Sequence, residues 1–180
     1  MFVTLAELEA GLEHVRHSPI EEGTLELIVA RPGPGKRTVL DVGELDLDFG
    51  LVGNDWHKRT TRYGPPDPRA QLNIMNFRAA ALVAGTPDRI PLAGDQLYLD
   101  FDLSTQELEA GARLAIGPDA VIEITPKPHR GCKKFTERYG EDATRFFNTG
   151  IGIALNLRGR NAKVVTPGTI RPGDLVKRLA

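Results

Sequence analysis

A single cysteine, Cys132, occurs in 180 residues, so no internal disulfide can brace the chain, as expected in a reducing compartment. Beside one cysteine there are four histidines, and their positions show no ligand spacing, which argues against an all-protein zinc site. Aromatic residues make up only 6% of the chain and the formal net charge is −1. There is then no stacking surface interleaved with basic residues and no global pull toward polyanions, so nucleic acid is not expected as a partner. No apolar run approaches the ~20 residues of a membrane span, so no membrane is expected either. The first residues, Met1 to Glu7, lack the basic start of a signal peptide. With the lone thiol, that sets the expectation of a cytoplasmic protein.

What is present is ordinary bulk and frequent turns. The chain is 41% hydrophobic and 26% charged, with 19 glycines and 13 prolines. A length of 180 residues fits one domain with its own core. Residues 1–18 are expected to form an N-terminal helix, with Thr4 and Glu7 as a capping box and Leu5, Leu8, Leu12 and Val15 at helical spacing. Residues 23–180 are expected to form a barrel with helices. Strands are predicted at Thr24–Val29 and Thr38–Val42, joined by an Arg31–Lys36 turn that fails the phosphate-loop pattern at Ala30 and Arg37. The acids Asp41, Glu44, Asp46 and Asp48 are expected on a solvated loop. The segment from Gln71 leads into a helix at Asn76–Ala84, capped by Asn76 and stopped by Gly85. The linker from Arg59 to Pro68 is expected to wall or cover a site. Gly94-Asp95 opens a strand over Gln96–Leu103, and a hairpin (Ala112–Ile116, Ala120–Ile124) follows. Short helices are predicted at Lys133–Tyr139 and Asp142–Phe147, then strands near Ile151–Leu157, Ala162–Val165 and Asp174–Arg178. The sum is a mostly β fold, largely antiparallel and barrel-like, with flanking α-helices.

The stretch Pro126-Lys127-Pro128-His129-Arg130-Gly131-Cys132-Lys133-Lys134-Phe135 concentrates the chemistry. Four cations and a histidine surround the thiol, and no acid occurs between Glu123 and Glu137. Cys132 is expected just before the first residue of a helix, where unpaired amides favour an anion. Both features favour the thiolate, the nucleophilic and metal-binding form. A cysteine–histidine hydrolase is open on these residues, with His57 or His129 as base.

The cysteine stretch, followed by Glu137-Arg138-Tyr139-Gly140 and Asp142-Ala143, resembles the signature segment of MOSC domains, named after the C-terminal domain of molybdenum cofactor sulfurases. Further pieces occur in the family's order: Gly50-Leu51-Val52-Gly53-Asn54-Asp55, Gly94-Asp95, Leu157-Arg158-Gly159, and Pro167-Gly168 through Pro172-Gly173-Asp174. Asn54 stands where the family has aspartate, with Asp55 beside it. The chain is similar to a stand-alone MOSC domain, since 180 residues leave no room for a pyridoxal-phosphate domain.

The resemblance implies a MOSC-like β-barrel and a molybdenum pterin cofactor, bound or served with sulfur. It makes Cys132 the reactive residue, as persulfide carrier or molybdenum ligand. His129, Arg130, Lys133, Lys134, Asn156, Arg158, Asp55 and His57 become candidates for holding the cofactor. Asn156 and Arg158 alternate with apolar residues on a late predicted strand, so both are expected on one face; if that face lines the cleft, Arg158 can bind the same anion as Lys133, the alternative being the outside of the barrel. Partners would be a molybdoenzyme or a sulfur donor. The alternatives are a molybdenum-dependent reductase of N-hydroxylated small molecules with separate redox partners, the hydrolase, and a non-enzymatic cofactor sensor.

Overall fold

Thr4 sets the first helix by its own chemistry. Its hydroxyl accepts from the Glu7 amide at 3.4 Å while the Glu7 carboxylate accepts from the Thr4 amide at 2.7 Å, a reciprocal cap that satisfies two otherwise orphaned donors. Helix α1 (Leu5–Arg16) follows, burying Leu8 and Val15. The structure is a computed structural model, and it describes residues 2–58 and 64–180. The lid or wall expected of the linker falls partly on residues 59–63, outside the described residues.

The strands are β1 (Glu22–Ala30), β2 (Thr38–Leu40), β3 (Gly43–Asp46), β4 (Gly50–Leu51), β5 (Leu72–Asn76), β6 (Leu97–Asp100), β7 (Arg113–Ile116), β8 (Ala120–Ile124), β9 (Arg160–Thr166), β10 (Gly168–Ile170) and β11 (Leu175–Arg178). The other helices are α2 (Phe77–Ala84), α3 (Lys133–Tyr139), α4 (Glu141–Asn148) and α5 (Gly150–Ala154). Seven strands close in the order β11-β7-β8-β9-β5-β6-β1, with β1 pairing back onto β11. Strand β2 adds beyond β1, and β10-β3-β4 form a separate small sheet. All these pairings are antiparallel except β5 with β6. That one parallel pair is bridged by α2, as parallel neighbours require a crossover. The fold is therefore a mostly β barrel with flanking helices, as the sequence indicates.

Side-chain alternation divides the interior into two cores. Leu25 and Ile28 on β1, Ile74 on β5, and Leu97 and Leu99 on β6 fill the barrel. Their neighbours Val29, Met75 and Tyr98 face outward into a second core. There they meet Leu8 and Val15 of α1, Ala79, Ala80 and Val83 of α2, Phe135 and Tyr139 of α3, and Ala143 and Phe147 of α4.

Three local expectations need correction. The lead-in from Gln71 is not merely an approach to a helix: Leu72–Asn76 is the central strand β5, buried along its whole length. Asn76 then caps α2 as expected, accepting from the Ala79 amide at 2.9 Å. Residues Ile151–Leu157 are not a strand; Gly150–Ala154 is helix α5, and Asn156 takes a left-handed backbone (φ 48°). Of the acids expected on a loop, Glu44 and Asp46 belong to β3.

Candidate functional site

Hairpin β7–β8 delivers the chain into the cysteine stretch, and two asparagines hold that stretch in place. Asn161 on β9 donates to the carbonyls of Lys127 (3.0 Å) and Pro128 (3.2 Å). Asn148, the last residue of α4, accepts from the Gly131 amide at 2.8 Å and donates to the Gly131 carbonyl at 3.1 Å. A paired amide of this kind replaces the missing strand partner of an irregular segment. Cys132 follows as the residue before α3, exposed, with its side chain making no capping hydrogen bond.

The thiol stands at the rim of a cavity of about 230 Å³. Four pieces of chain line it: the β1–β2 turn (Arg31, Gly33 to Gly35, Arg37), the turn into β6 (Ala93, Gly94), the loop and helix around Cys132 (His129, Arg130, Lys134, Phe135, Arg138), and Arg158 ahead of β9. Six of the lining residues are cations. No Asp or Glu lines the cavity among the described residues.

Behind that wall lies the carboxylate that orders it. Asp95 is fully buried; it accepts from Arg158 at 2.6 Å and meets His129 Nε2 at 3.1 Å. Arg158 is also fixed by donating to the Ala93 carbonyl at 3.0 Å and by lying 5.0 Å above the Phe135 ring. Its Nε is buried and has no acceptor among the described residues. Gly94 is favoured here by its backbone, and its missing side chain leaves room for two arginines. Its φ is 86°, and a Cβ would come within 2.8 Å of the Arg37 guanidinium and 3.5 Å of that of Arg138. Both guanidiniums thus lie beside the position where a side chain is missing.

Burial works to raise the Asp95 pKa, but the Arg158 charge and the His129 contact outweigh it, so the carboxyl is held below its usual range. Burial, helped by the Arg158 charge, lowers the pKa of His129 despite its contact with Asp95. His129 is then neutral near pH 7. Because a carboxylate can only accept, Nε2 carries the proton and Nδ1 is left as an acceptor. Both groups bind protons more readily when unfolded, so both remove stability as the pH falls. Unfolding midpoints in urea should stay level above about pH 7, begin to drop below about 6.5 through His129, and drop again below about 3.9 through Asp95. His129→Gln should remove the first step. A midpoint unchanged between pH 7.5 and 5 would contradict the assignment.

Of the residues singled out in the sequence, Cys132, His129, Arg130, Lys134 and Arg158 meet at this cavity; Lys133, Asp55, His57 and Asn156 do not line it. Asn156 instead donates to the Leu103 carbonyl and the Thr105 hydroxyl, both at 3.0 Å. It does not share a face with Arg158, because the strand that would have aligned them is absent. His57 stacks edge-on against Phe49 at 4.9 Å. In the glycine-rich segment both neighbours meet Arg31: the Asn54 side chain accepts from the Arg31 amide at 2.6 Å, and the Asp55 amide donates to the Arg31 carbonyl at 2.9 Å. The Arg31 side chain continues the link, donating to Asn73 at 3.1 Å, and Asn73 donates to Asn161 at 2.6 Å. Asp95, Asn73, Asn148, Arg31 and Arg37 were not legible as site residues, since each is joined to the cysteine stretch only by the fold, whereas Arg138 lies on the helix that follows Cys132 and was not singled out.

No protein-family profile matches the chain, and no curated protein matches it by sequence. Solved structures do. YuaD from Bacillus subtilis is similar over 87% of this chain and 95% of its own, at 16% identity and a TM-score of 0.62. A hypothetical protein of solved structure matches 89% of this chain and 69% of its own, at 16% identity and a TM-score of 0.61. YiiM from Escherichia coli matches 87% of this chain and 70% of its own, at 17% identity and a TM-score of 0.56. At these identities the likeness is one of fold. That fold is the mostly β barrel with flanking helices described above.

Proposed function

We propose that this chain is a MOSC-type protein that uses Cys132 to bind the molybdenum pterin cofactor or to carry its sulfur as a persulfide. The observation that supports the reading most is the single exposed thiol at the rim of a cavity lined by six cations. A persulfide is an anion, and neighbouring cations lower its energy. An exposed sulfur can also be reached by a donor or an acceptor protein.

The residues present suit the anionic part of the cofactor. Arg130, Lys134 and Arg158, which line the cavity, would take the phosphate. A cavity of about 230 Å³ is smaller than the roughly 300–1,000 Å³ of drug-sized ligand sites. The cavity would therefore hold the phosphate end of the cofactor through Arg130, Lys134 and Arg158. Among the described residues no group of three His, Cys, Asp or Glu could hold a metal ion. Any metal would arrive on its own dithiolene sulfurs and add Cys132 as one further soft ligand. When bound, the cofactor would supply a metal able to change oxidation state. The chain's own part would be to orient that group, keep its charge balanced and present the thiolate. As a reductase of N-hydroxylated compounds it would need separate redox partners.

A second reading, the cysteine–histidine hydrolase, draws on one observation: His129 lines the same cavity as Cys132 and is held from behind by Asp95. It expects steady turnover of a chromogenic ester through an acyl-cysteine, which a carrier does not give.

Co-expression with a source of molybdenum cofactor separates the outcomes. Wild type should retain molybdenum or persulfide sulfur, and Cys132→Ser should retain neither. The substitution itself should change stability by less than about 0.5 kcal/mol, because the site is exposed and serine caps helices well. Wild type and mutant indistinguishable in both metal and sulfur would overturn the proposal and leave the fold.

A further inference from the structure

We propose that the sulfur donor for Cys132 is a small sulfur oxyanion of the thiosulfate type, which would make the chain a thiosulfate sulfurtransferase. The inference rests on the carrier reading above and specifies what loads it. The cavity argues for a small, highly charged ligand. Its volume of about 230 Å³ holds a tetrahedral oxyanion with room for water, and its lining offers six cations and no carboxylate among the described residues. That is more positive charge than a monoanionic persulfide on a protein surface calls for. A dianion has to give up a costly hydration shell on entering, and several charge-assisted hydrogen bonds are needed to replace it.

Three features independent of the thiol point the same way. The Arg158 side chain is only 8% exposed, and its Nε has no acceptor among the described residues. Asp95 and the Ala93 carbonyl hold this guanidinium rigidly in the cavity wall, so its charge is presented to a ligand without reorganisation. Arg37 and Arg138, from two separate pieces of chain, both line the cavity beside Gly94 and add to its positive field. Asp95, the carboxylate nearest in the network, is fully buried and already engaged by Arg158 and His129, so it orients the cationic wall.

The chemistry balances without any further oxidant or reductant. The Cys132 thiolate attacks the outer, sulfane sulfur of thiosulfate. A new S–S bond forms between that sulfur and Cys132, the S–S bond within thiosulfate breaks, and its electron pair leaves with sulfite. The products are a Cys132 persulfide anion and sulfite, and the total charge is unchanged. The negative charge that builds on the departing sulfite oxygens faces Arg130, Lys134 and Arg158. Cyanide then takes the outer sulfur as thiocyanate and returns the thiolate, so turnover can be counted.

The experiment uses the purified full chain with thiosulfate, then with thiosulfate plus cyanide. Expected are one sulfite released and one sulfur gained on Cys132 per chain, steady thiocyanate formation, and competitive inhibition by sulfate. The exposed pair Arg130→Ala with Lys134→Ala should raise KM for thiosulfate about tenfold with kcat less affected, and Cys132→Ser should give no thiocyanate. If thiosulfate leaves Cys132 unmodified while cysteine with a cysteine desulfurase loads it, the donor class is wrong and the carrier reading survives. If neither loads Cys132, both fall. Thiosulfate turnover that is indifferent to the two charge removals and to sulfate would overturn recognition by the cationic cavity.

Discussion

Asp95→Ala is expected to destabilise the protein by about 3–5 kcal/mol, the usual loss when one partner of a buried ion pair is removed. Asp95 is fully buried and holds Arg158 at 2.6 Å and His129 at 3.1 Å. Without it the Arg158 charge stays buried against Phe135 and the Ala93 carbonyl, with its Nε already lacking an acceptor. The loss should come as a shift of the urea midpoint with an unchanged slope. Asp95→Asn keeps the volume and one acceptor, so it should fall between the two. Asp95→Ala should also lose part of the acid-side drop below about pH 3.9, the remainder coming from Glu7, Asp67 and Glu123, whose carboxyls are likewise held below their usual range. A loss under about 1 kcal/mol for Asp95→Ala would mean that the pair is solvated and does not organise the cavity wall.

Gly159→Ala should be at least as damaging, for a backbone reason. Gly159 has φ 101°, and a Cβ there would sit 2.1 Å from the Ile74 carbonyl oxygen on β5. The chain crosses the central strand at contact distance at this point, so backbone must move. On either side lie Arg158, which faces the cavity, and Arg160, which donates to the Leu108 carbonyl at 2.7 Å. Moving Gly159 therefore disturbs the site and the barrel together. A loss above about 4 kcal/mol, or failure to fold, is expected. Gly173→Ala is the control, since Gly173 has φ 92° but nothing within 4 Å of its would-be Cβ. It carries only the conformational strain of roughly 1–3 kcal/mol. Equal losses at the two positions would show that strain, not contact, governs both.

Local signals carried much of the fold. The capping box at Thr4 and Glu7, the Asn76 cap with Gly85 at the other end of α2, and α3 at Lys133–Tyr139 each depend on a few adjacent residues. Hairpin β7–β8 was readable from a turn between alternating strands. Two segments misled for opposite reasons. Ile151-Gly152-Ile153-Ala154-Leu155 has β-branched residues at alternate places, but packing after α4 folds it as helix. Leu72–Asn76 is buried at every position, its asparagines included, so its polar residues do not mark a solvent face.

The site divides in the same manner. Cys132, His129 and Arg130 could be found because they are neighbours in sequence. Asp95 could not: before an apolar run it reads as a turn residue, and its partners lie 34 and 63 positions away. The asparagines Asn73, Asn148 and Asn161 likewise act across long separations. The Gly-Asp pair was visible, but nothing local says that its carboxylate is buried among cations.

The central claim, that the cations around Cys132 draw anions to the thiol, is tested most directly by alkylating it with two reagents of similar size. Iodoacetamide is neutral and iodoacetate is anionic, and both react with the same thiolate, so the ratio of their rates cancels the thiolate fraction. At low salt, iodoacetate should gain on iodoacetamide several-fold relative to a free cysteine peptide. The gain should shrink as salt screens the field, and again when Arg130 and Lys134 are both replaced by alanine. A rate ratio equal to that of the free peptide, unmoved by salt or by these substitutions, would contradict the account.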